Sequence, residues 1–235
     1  MSTATLAFPD GEGLADLATY VRRAARLDPD GAVRLQVAGS RPVLAAWVCV
    51  LPGVGLLRSG LVLGLRTTAL AAGSAVLDTT VPLAGLTDRF ARRGASRDAS
   101  TELPVPPTTL APAWAALSPP RGGWEPVGRL PVELLVRAAR EGIAEVAEGT
   151  PEGAGSAAVE TLRARVWGQP VDDSSDVHVP RGAGLALHAL GFVGDRPGGA
   201  GDGAPGEGIP ETATVHRQGA WLRVSTAAGH ALLRP

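Results

Sequence analysis

The apolar segment at residues 43–65 limits the possible folds more than any other part of the chain. Residues 43–57 are apolar throughout, and residues 60–65 continue the run after Arg58-Ser59. A membrane-spanning helix needs about 20 predominantly apolar residues. This run is interrupted in its middle by Pro52, Gly53 and Gly55. Two buried strands joined by a glycine-rich turn fit the pattern better, and we expect no association with a membrane.

The spacing of apolar residues around this segment predicts the other N-terminal elements. Leu14, Leu17 and Val21 have helical spacing, whereas the apolar residues of segment 33–37 alternate with polar ones, as in a half-buried strand. Three further strands are predicted at Val43–Leu51, Leu61–Leu70 and Ala75–Val81. Because the connections are short, we expect these four strands to form an antiparallel meander.

The C-terminal half predicts helices followed by strands. One helix is expected from about Pro131 to Gly149 and a second through Val159, Leu162 and Val166, which together form a helical hairpin. Residues 183–190 fit either a helix or a strand. The chain then shows a β-meander with strands at Thr212–Arg217, Ala220–Thr226 and His230–Arg234. Strands and helices are segregated along the chain, which indicates an α+β fold.

The same pattern suggests a division into three parts. Residues 1–98 hold the first helix, the four-stranded sheet and a following helix. Residues 99–131 are a proline-rich connector whose tryptophans and leucines predict that it packs onto the body. Residues 132–235 hold the helical hairpin and the C-terminal β-meander. A single domain containing all three parts is the alternative.

Composition excludes several kinds of chemistry. The chain has no lysine and no asparagine, so it cannot supply a Walker-A lysine, a Schiff-base lysine or an asparagine oxyanion donor. The net charge of -1 argues against a bulk electrostatic footprint for nucleic acid. Cys49 is the only cysteine, which fits a cytosolic protein without an intrachain disulfide. Since the four histidines lack zinc-site spacing, we expect no metal or cofactor.

One candidate ligand site lies in the segment 172–188. Its first part is an acidic loop that ends at His178, and Arg181, Gly182 and Gly184 follow at the start of the possible helix. In a helix, the free backbone N–H groups of the first turn and the Arg181 guanidinium would point at an anion, with His178 close by. This segment supports the alternative function, a small-ligand-binding protein or an enzyme.

The leading hypothesis is a non-enzymatic protein that acts through protein–protein contacts, with self-association as one form. No catalytic constellation is complete in the sequence. Trp114 and Trp124 stand among proline and glycine residues, and tryptophans in such segments can anchor an interface. Core packing of the same two tryptophans is the competing interpretation.

Two stretches of the sequence resemble a known group of proteins. They are Leu110-Ala-Pro-Ala-Trp-Ala-Ala-Leu-Ser-Pro-Pro-Arg-Gly-Gly-Trp124 and Leu77-Asp-Thr-Thr-Val-Pro-Leu-Ala-Gly-Leu-Thr-Asp-Arg-Phe90. Both are similar to sequences of uncharacterised conserved proteins restricted to actinobacteria. A GC-rich actinobacterial genome would also explain the absence of lysine and asparagine. The resemblance implies no activity and transfers no functional residue.

Overall fold

A computed structural model describes seven segments of the chain, namely residues 4–37, 42–55, 57–72, 74–150, 155–173, 177–193 and 211–235. These segments contain five α-helices and ten β-strands in antiparallel sheets, which confirms the predicted α+β fold. The chain divides into two compact units: Met1–Pro52 with Leu63–Ser118, and Gly53–Val62 with Pro119–Pro235. None of the described helices combines the length and apolar character needed to cross a membrane.

The elements of the N-terminal half follow one another closely. In chain order they are β1 (Thr5–Ala7), α1 (Gly11–Leu27), β2 (Ala32–Val37), β3 (Val43–Val54), β4 (Ser59–Ala69), β5 (Leu77–Pro82), α2 (Leu83–Ser96), β6 (Glu102–Pro104) and a short 3-10 helix at Ala113–Ala116. Four of these strands are neighbours in the order β5-β2-β3-β4, and β1 pairs with β6 separately.

The position of β5 differs from a simple meander. Strands β2, β3 and β4 follow one another as predicted, but β5 pairs with β2 instead of β4. This register places Val81 opposite Val33 on the buried face, and it brings Asp78 to Gln36 on the other face. Strand β5 thus matches β2 on both faces, with an apolar pair on one and a polar pair on the other. The short connections in the sequence do not reveal this pairing.

Helix α1 shows how the N-terminal unit is held together. The Asp10 carboxylate accepts a hydrogen bond from the Gly13 backbone N–H at 3.0 Å, which caps the helix. The buried residues of α1 repeat at helical spacing, as predicted: Leu14, Leu17, Tyr20, Val21 and Ala24. The Tyr20 hydroxyl lies at hydrogen-bond distance from two strand carbonyls, that of Ala46 at 3.2 Å and that of Gly64 at 2.9 Å. One buried phenol thus ties α1 to β3 and β4.

The turn between β3 and β4 confirms the glycine-rich hairpin. Gly53 has a φ of 66°, and a Cβ at this position would lie 2.6 Å from the Arg58 carbonyl oxygen. Only glycine fits such a left-handed conformation at such a close approach without strain. Strand β4 begins directly after this turn. The glycines therefore belong to the turn of a β-hairpin.

The C-terminal half contains the predicted helices and meander together with one further strand. Its elements are β7 (Glu125–Pro131), α3 (Val132–Glu148), α4 (Ser156–Gly168), α5 (Arg181–Ala189), β8 (Thr212–Gln218), β9 (Trp221–Ser225) and β10 (His230–Arg234). Strands β8, β9 and β10 confirm the C-terminal meander, and β7 adds an outer strand beside β8. Sequence reasoning missed β7 because its prolines and Gly128 are typical of a connector.

The helices of this half pack at very short distances. A Cβ added at Gly184 of α5 would lie 2.5 Å from the Leu135 carbonyl oxygen of α3. A Cβ at Gly142 of α3 would lie 2.4 Å from the Trp167 ring of α4. Helices α3 and α4 thus form the predicted hairpin, and residues 183–190 are helical up to Ala189.

The buried face of strands β8, β9 and β10 is apolar and consists of Ala213, Val215, Leu222, Val224, Ala231 and Leu233.

Candidate functional site

Within the predicted ligand site, Arg181 has a protein partner. The Arg181 Nη1 lies 3.5 Å from the Oε2 of Glu145 on α3. The Nη2 of Arg165 on α4 lies 3.6 Å from the Oε1 of the same carboxylate. A carboxylate of the chain therefore occupies the place beside Arg181 where a bound anion was predicted. The Arg181 Nε is buried without a hydrogen-bond partner among the described residues.

The other residues of this predicted site serve packing or are exposed. Gly182 and Gly184 are both buried, and Gly184 lies against α3. His178 is exposed on the loop before α5, and residues 174–176 of the acidic loop lie outside the described residues. The described part of the chain brings no three His, Cys, Asp or Glu side chains together in a metal-binding group. Ligand binding at this segment stays a prediction.

The two tryptophans singled out from the sequence have different environments. Trp114 is buried, with 8% of its surface exposed, in the 3-10 helix of the N-terminal unit. Trp124 is half-buried directly before β7, and its indole Nε1 donates a hydrogen bond to the Pro120 carbonyl at 3.1 Å. Trp114 is thus packed in the interior, whereas Trp124 is only partly covered. An interface at Trp114 or Trp124 stays a prediction.

Trp124 lies next to an arginine that sequence analysis did not select. The Arg223 guanidinium of β9 stacks 4.7 Å from the centre of the Trp124 ring. In the register of the sheet, Arg223 lies between His216 of β8 and Leu232 of β10. Directly opposite residues of antiparallel strands point to the same face. Arg223 thus has neighbours on β8 and β10 in register, and its guanidinium contacts the segment before β7.

The electrostatic surroundings of Arg223 are unusual for an arginine. Desolvation by burial lowers the pKa of the Arg223 guanidinium below its usual value. The pKa of His216 is also lowered, first by desolvation and second by the positive charge of Arg223. The Arg223 Nε and the His216 Nδ1 are buried and have no hydrogen-bond partner among the described residues. Neither side chain forms an ion pair with a described carboxylate.

We define the basic face as the side of the C-terminal strands that carries this pair. Alternation along the strands and the register place five basic residues on it: Arg129, His216, Arg223, His230 and Arg234. From Thr212 to Pro235 the chain has no aspartate and no glutamate. The His230 ring lies 2.9 Å from the Ser225 hydroxyl. The basic face thus combines positive charge with an aromatic ring and lacks an acidic residue on β8, β9 and β10.

Such a face is suited to binding an anionic group. A guanidinium presents several N–H donors in a planar fork that matches a carboxylate or a phosphate. A partly desolvated cation without a counter-charge costs free energy, and an incoming anion lowers that cost. The signal in the sequence was the alternation of Trp221, Arg223 and Ser225 in a stretch without acids. The register adds His216 to it, and the ring contact with the guanidinium adds Trp124.

Family models match the two halves of the chain separately. Residues 1–116 match a domain of unknown function (DUF8010), and residues 119–235 match a second domain of unknown function (DUF8185). Each half of the chain is therefore similar to a domain family of unknown function. The two matches meet at the end of the N-terminal unit, between residues 116 and 119, and they assign no activity to either domain. A restriction of these families to actinobacteria stays a prediction.

Solved structures show a distant similarity, whereas no curated protein matches the sequence. The DNA polymerase III subunit beta from Pseudomonas aeruginosa is 12% identical with a TM-score of 0.47 over 99% of this chain and 64% of that chain. The corresponding subunit from Thermotoga maritima is 13% identical with a TM-score of 0.41 and the same coverage. The chain thus spans about 64% of their length. Similarity at this level does not transfer a function.

Proposed function

We propose that this chain is a cytosolic, non-enzymatic protein that binds a partner protein through its basic face. The observation that carries the proposal is the Arg223 guanidinium, which stacks on Trp124 at 4.7 Å and has no carboxylate partner among the described residues. A structural arginine at a half-buried position normally has a counter-charge from its own chain. The missing counter-charge supports an intermolecular role for this side chain.

The residue types at this position also support a protein interface. Tryptophan and arginine are enriched among the residues that contribute most to binding free energy in protein complexes. The Nε1 of Trp124 is held by the Pro120 carbonyl, and Arg223 is held by the Trp124 ring. Because both side chains are ordered before a partner arrives, binding costs less conformational entropy than ordering two mobile side chains.

The charge of the basic face favours a different protein over a second copy of this chain. A two-fold symmetric dimer would place the same surface of each copy against the other. Basic residues such as Arg129, Arg223 and Arg234 would then lie close to the same residues of the second copy, which is electrostatically unfavourable. Self-association remains a separate prediction, and native mass spectrometry of the purified chain measures it.

The test compares two arginines on neighbouring strands. Arg223→Met removes the stacked guanidinium, whereas Arg217→Met removes an exposed arginine that lies opposite Leu222 on the other side of the sheet. Both variants lose one positive charge. Wild type and both variants are immobilised, lysate of the source organism is passed over them, and the captured proteins are quantified by mass spectrometry.

We expect Arg217→Met to retain the wild-type partner and Arg223→Met to lose most of it. Trp124→Leu should weaken capture in the same direction, since it removes the ring on which the guanidinium is stacked. If Arg223→Met and Trp124→Leu capture the same proteins in the same amounts as wild type, the basic face is not the binding surface and the proposal is wrong.

A further inference from the structure

The chemistry around Arg223 restricts what kind of partner segment can bind there. Across the strands, Arg223 has a histidine on one side and Leu232 on the other. The indole ring of Trp124 covers one surface of the guanidinium. Leu232 is buried, so the position offers a cationic fork beside the half-buried Trp124 ring.

The unpaired Nε–H of Arg223 is a hydrogen-bond donor, so it indicates an acceptor group in the ligand. The Arg223 Nε and the His216 Nδ1 are both buried without a partner among the described residues. Unmade hydrogen bonds of buried polar groups are expensive, and those of charged groups most of all. An anion at the guanidinium compensates the desolvated charge, whereas a neutral apolar ligand would increase its desolvation.

Charge complementarity extends beyond the central arginine. Arg129 lies opposite Thr214 on the same side of the sheet as His216, and Arg234 lies two residues beyond Leu232 on β10. Strands β8, β9 and β10 contribute no carboxylate. An extended segment with several acidic residues would meet positive charge along the face and not only at one point.

We infer that the basic face binds an acidic peptide segment of the partner protein, with an aspartate or glutamate carboxylate on the Arg223 guanidinium and an apolar neighbour against Trp124. This inference rests on the proposed function and adds the chemistry of the partner. A carboxylate flanked by an apolar side chain matches both the fork and the indole ring. A nucleic-acid backbone presents phosphates at regular spacing and needs a broad basic surface. The near-neutral net charge of the chain does not favour such a broad basic surface.

The test uses defined peptides and the full-length chain. A fluorescein-labelled peptide with Glu-Leu pairs separated by glycine and serine is titrated with wild-type protein, and fluorescence anisotropy is recorded. A matched peptide with Gln-Leu pairs removes the charge at almost constant shape. A labelled single-stranded oligonucleotide of equal net charge tests phosphate as the alternative.

Four variants locate the binding site. Arg223→Met and Arg223→Lys change the central cation, Trp124→Leu removes the aromatic ring, and Arg217→Met is the charge-matched control on the other side of the sheet. Thermal unfolding of each variant shows that it is folded at the titration temperature. Arg223→Lys keeps the charge but loses the planar fork, so it separates simple attraction from bidentate recognition.

We expect the glutamate peptide to bind wild type and Arg217→Met with the same affinity. Arg223→Met should weaken binding by about tenfold or more, which corresponds to the loss of one charge-assisted contact. Trp124→Leu and Arg223→Lys should give intermediate losses, and the glutamine peptide should bind at least about tenfold more weakly than the glutamate peptide.

Besides a failure of the glutamate peptide to bind wild type, three results would overturn the inference. The first is equal binding of the glutamate and glutamine peptides, and the second is an equal loss in Arg217→Met and Arg223→Met, which would indicate unspecific attraction. The third is tighter, Arg223-dependent binding of the oligonucleotide, which would make phosphate the ligand. If capture from lysate depends on Arg223 while the glutamate peptide fails to bind, only the acidic-segment inference fails. If neither depends on Arg223, the proposed function fails as well.

Discussion

Arg34 in the N-terminal unit and Arg223 in the C-terminal unit occupy similar places but have opposite surroundings. Each lies within an antiparallel strand, on the face opposite the buried apolar one. Arg34 forms a bidentate pair with Asp78, both distances being 2.7 Å, and donates to the Ala115 carbonyl and the Ser118 hydroxyl at 3.0 Å. Arg223 has the Trp124 ring as its neighbour and no carboxylate among the described residues.

The two arginines therefore have opposite pKa shifts. The hydrogen bonds and charge of Asp78 raise the pKa of Arg34, whereas desolvation lowers that of Arg223. Arg34 fixes the segment around Ala115 to the sheet. Every side-chain nitrogen of Arg34 bonds within the chain, which is typical of a structural cation, whereas the Arg223 Nε has no partner among the described residues. Stability and binding should therefore depend on different arginines.

The largest effect on stability is expected at Arg34. Arg34→Met removes the pair with Asp78 and the contacts to Ala115 and Ser118, and it leaves Asp78 without its main partner. Charge-assisted hydrogen bonds contribute about 1.5–3 kcal/mol each when buried, and the Asp78 side chain is 45% exposed. We therefore expect a loss of about 1–3 kcal/mol in the free energy of unfolding, measured by urea denaturation.

A matched control for this variant is Arg22→Met, because Arg22 is an exposed arginine of α1. It should change the free energy of unfolding by less than about 0.5 kcal/mol. Equal effects of Arg22→Met and Arg34→Met would show that the Asp78 pair contributes nothing measurable.

The same substitution at Arg223 should leave stability almost unchanged. Arg223→Met removes a desolvated charge, which favours folding, and a cation–π contact, which opposes it. The net change in the free energy of unfolding should be within about 1 kcal/mol of wild type, in either direction. Urea denaturation under the same conditions measures it. A destabilisation as large as that of Arg34→Met would mean that Arg223 has an internal structural role, and the contrast between the two units would disappear.

A smaller effect is expected from the contact between Trp124 and Arg223. A double-mutant cycle with Trp124→Leu and Arg223→Met should give a coupling energy of about 0.5–1 kcal/mol, the usual size of a partly exposed cation–π contact. The corresponding cycle for Trp47 and Arg34 is the control, because these residues are opposite in register while the Arg34 guanidinium binds Asp78. Equal coupling in both cycles would contradict a specific stacking contribution at Arg223.

The smallest expected effect is a pH dependence that originates at His216. Its pKa in the folded chain is below the ordinary value of 6.5, so the unfolded chain binds the proton more readily. Stability from this residue is fully present above about pH 6.5 and decreases as the pH falls through the ordinary value towards the folded one. His216→Gln should remove this part of the acid sensitivity.

Denaturation at several pH values measures the loss, and an NMR titration of the His216 ring measures the pKa itself. A midpoint at or above 6.5 would contradict the proximity of the Arg223 charge and the burial of the ring. Addition of the glutamate peptide should move the midpoint upward, since a carboxylate beside the ring favours its protonated form.

The periodicity of apolar residues predicted the positions of helices and strands better than it predicted which strands pair. The helical spacing of Leu14, Leu17 and Val21 and the alternation in the last three strands were enough for α1 and the C-terminal meander, because each pattern is local. The pairing of β5 with β2 depends on contacts between distant parts of the chain. Strand β7 was missed since Pro126 and Gly128 disfavour a strand in any local assessment, although an outer strand tolerates both.

The candidate site shows the same limit. Trp124 was singled out from the sequence, and the strand at Ala220–Thr226 was predicted, but nothing local connects Trp124 with Arg223. The residues predicted for the anion site did not include Glu145, whose carboxylate lies on another helix and pairs with Arg181. In both cases, the charge balance of an arginine was decided by a residue far away in the sequence.

The chain contains a single tyrosine, and its burial gives the N-terminal unit an optical signal of its own. The Tyr20 hydroxyl is enclosed between α1 and the strand carbonyls, and burial raises its pKa well above 10.0. In an alkaline titration, the ultraviolet absorbance of tyrosinate would therefore appear only when α1 separates from the sheet. No labelling is needed, because the chain contains no second tyrosine. One absorbance band thus reports the opening of one helix.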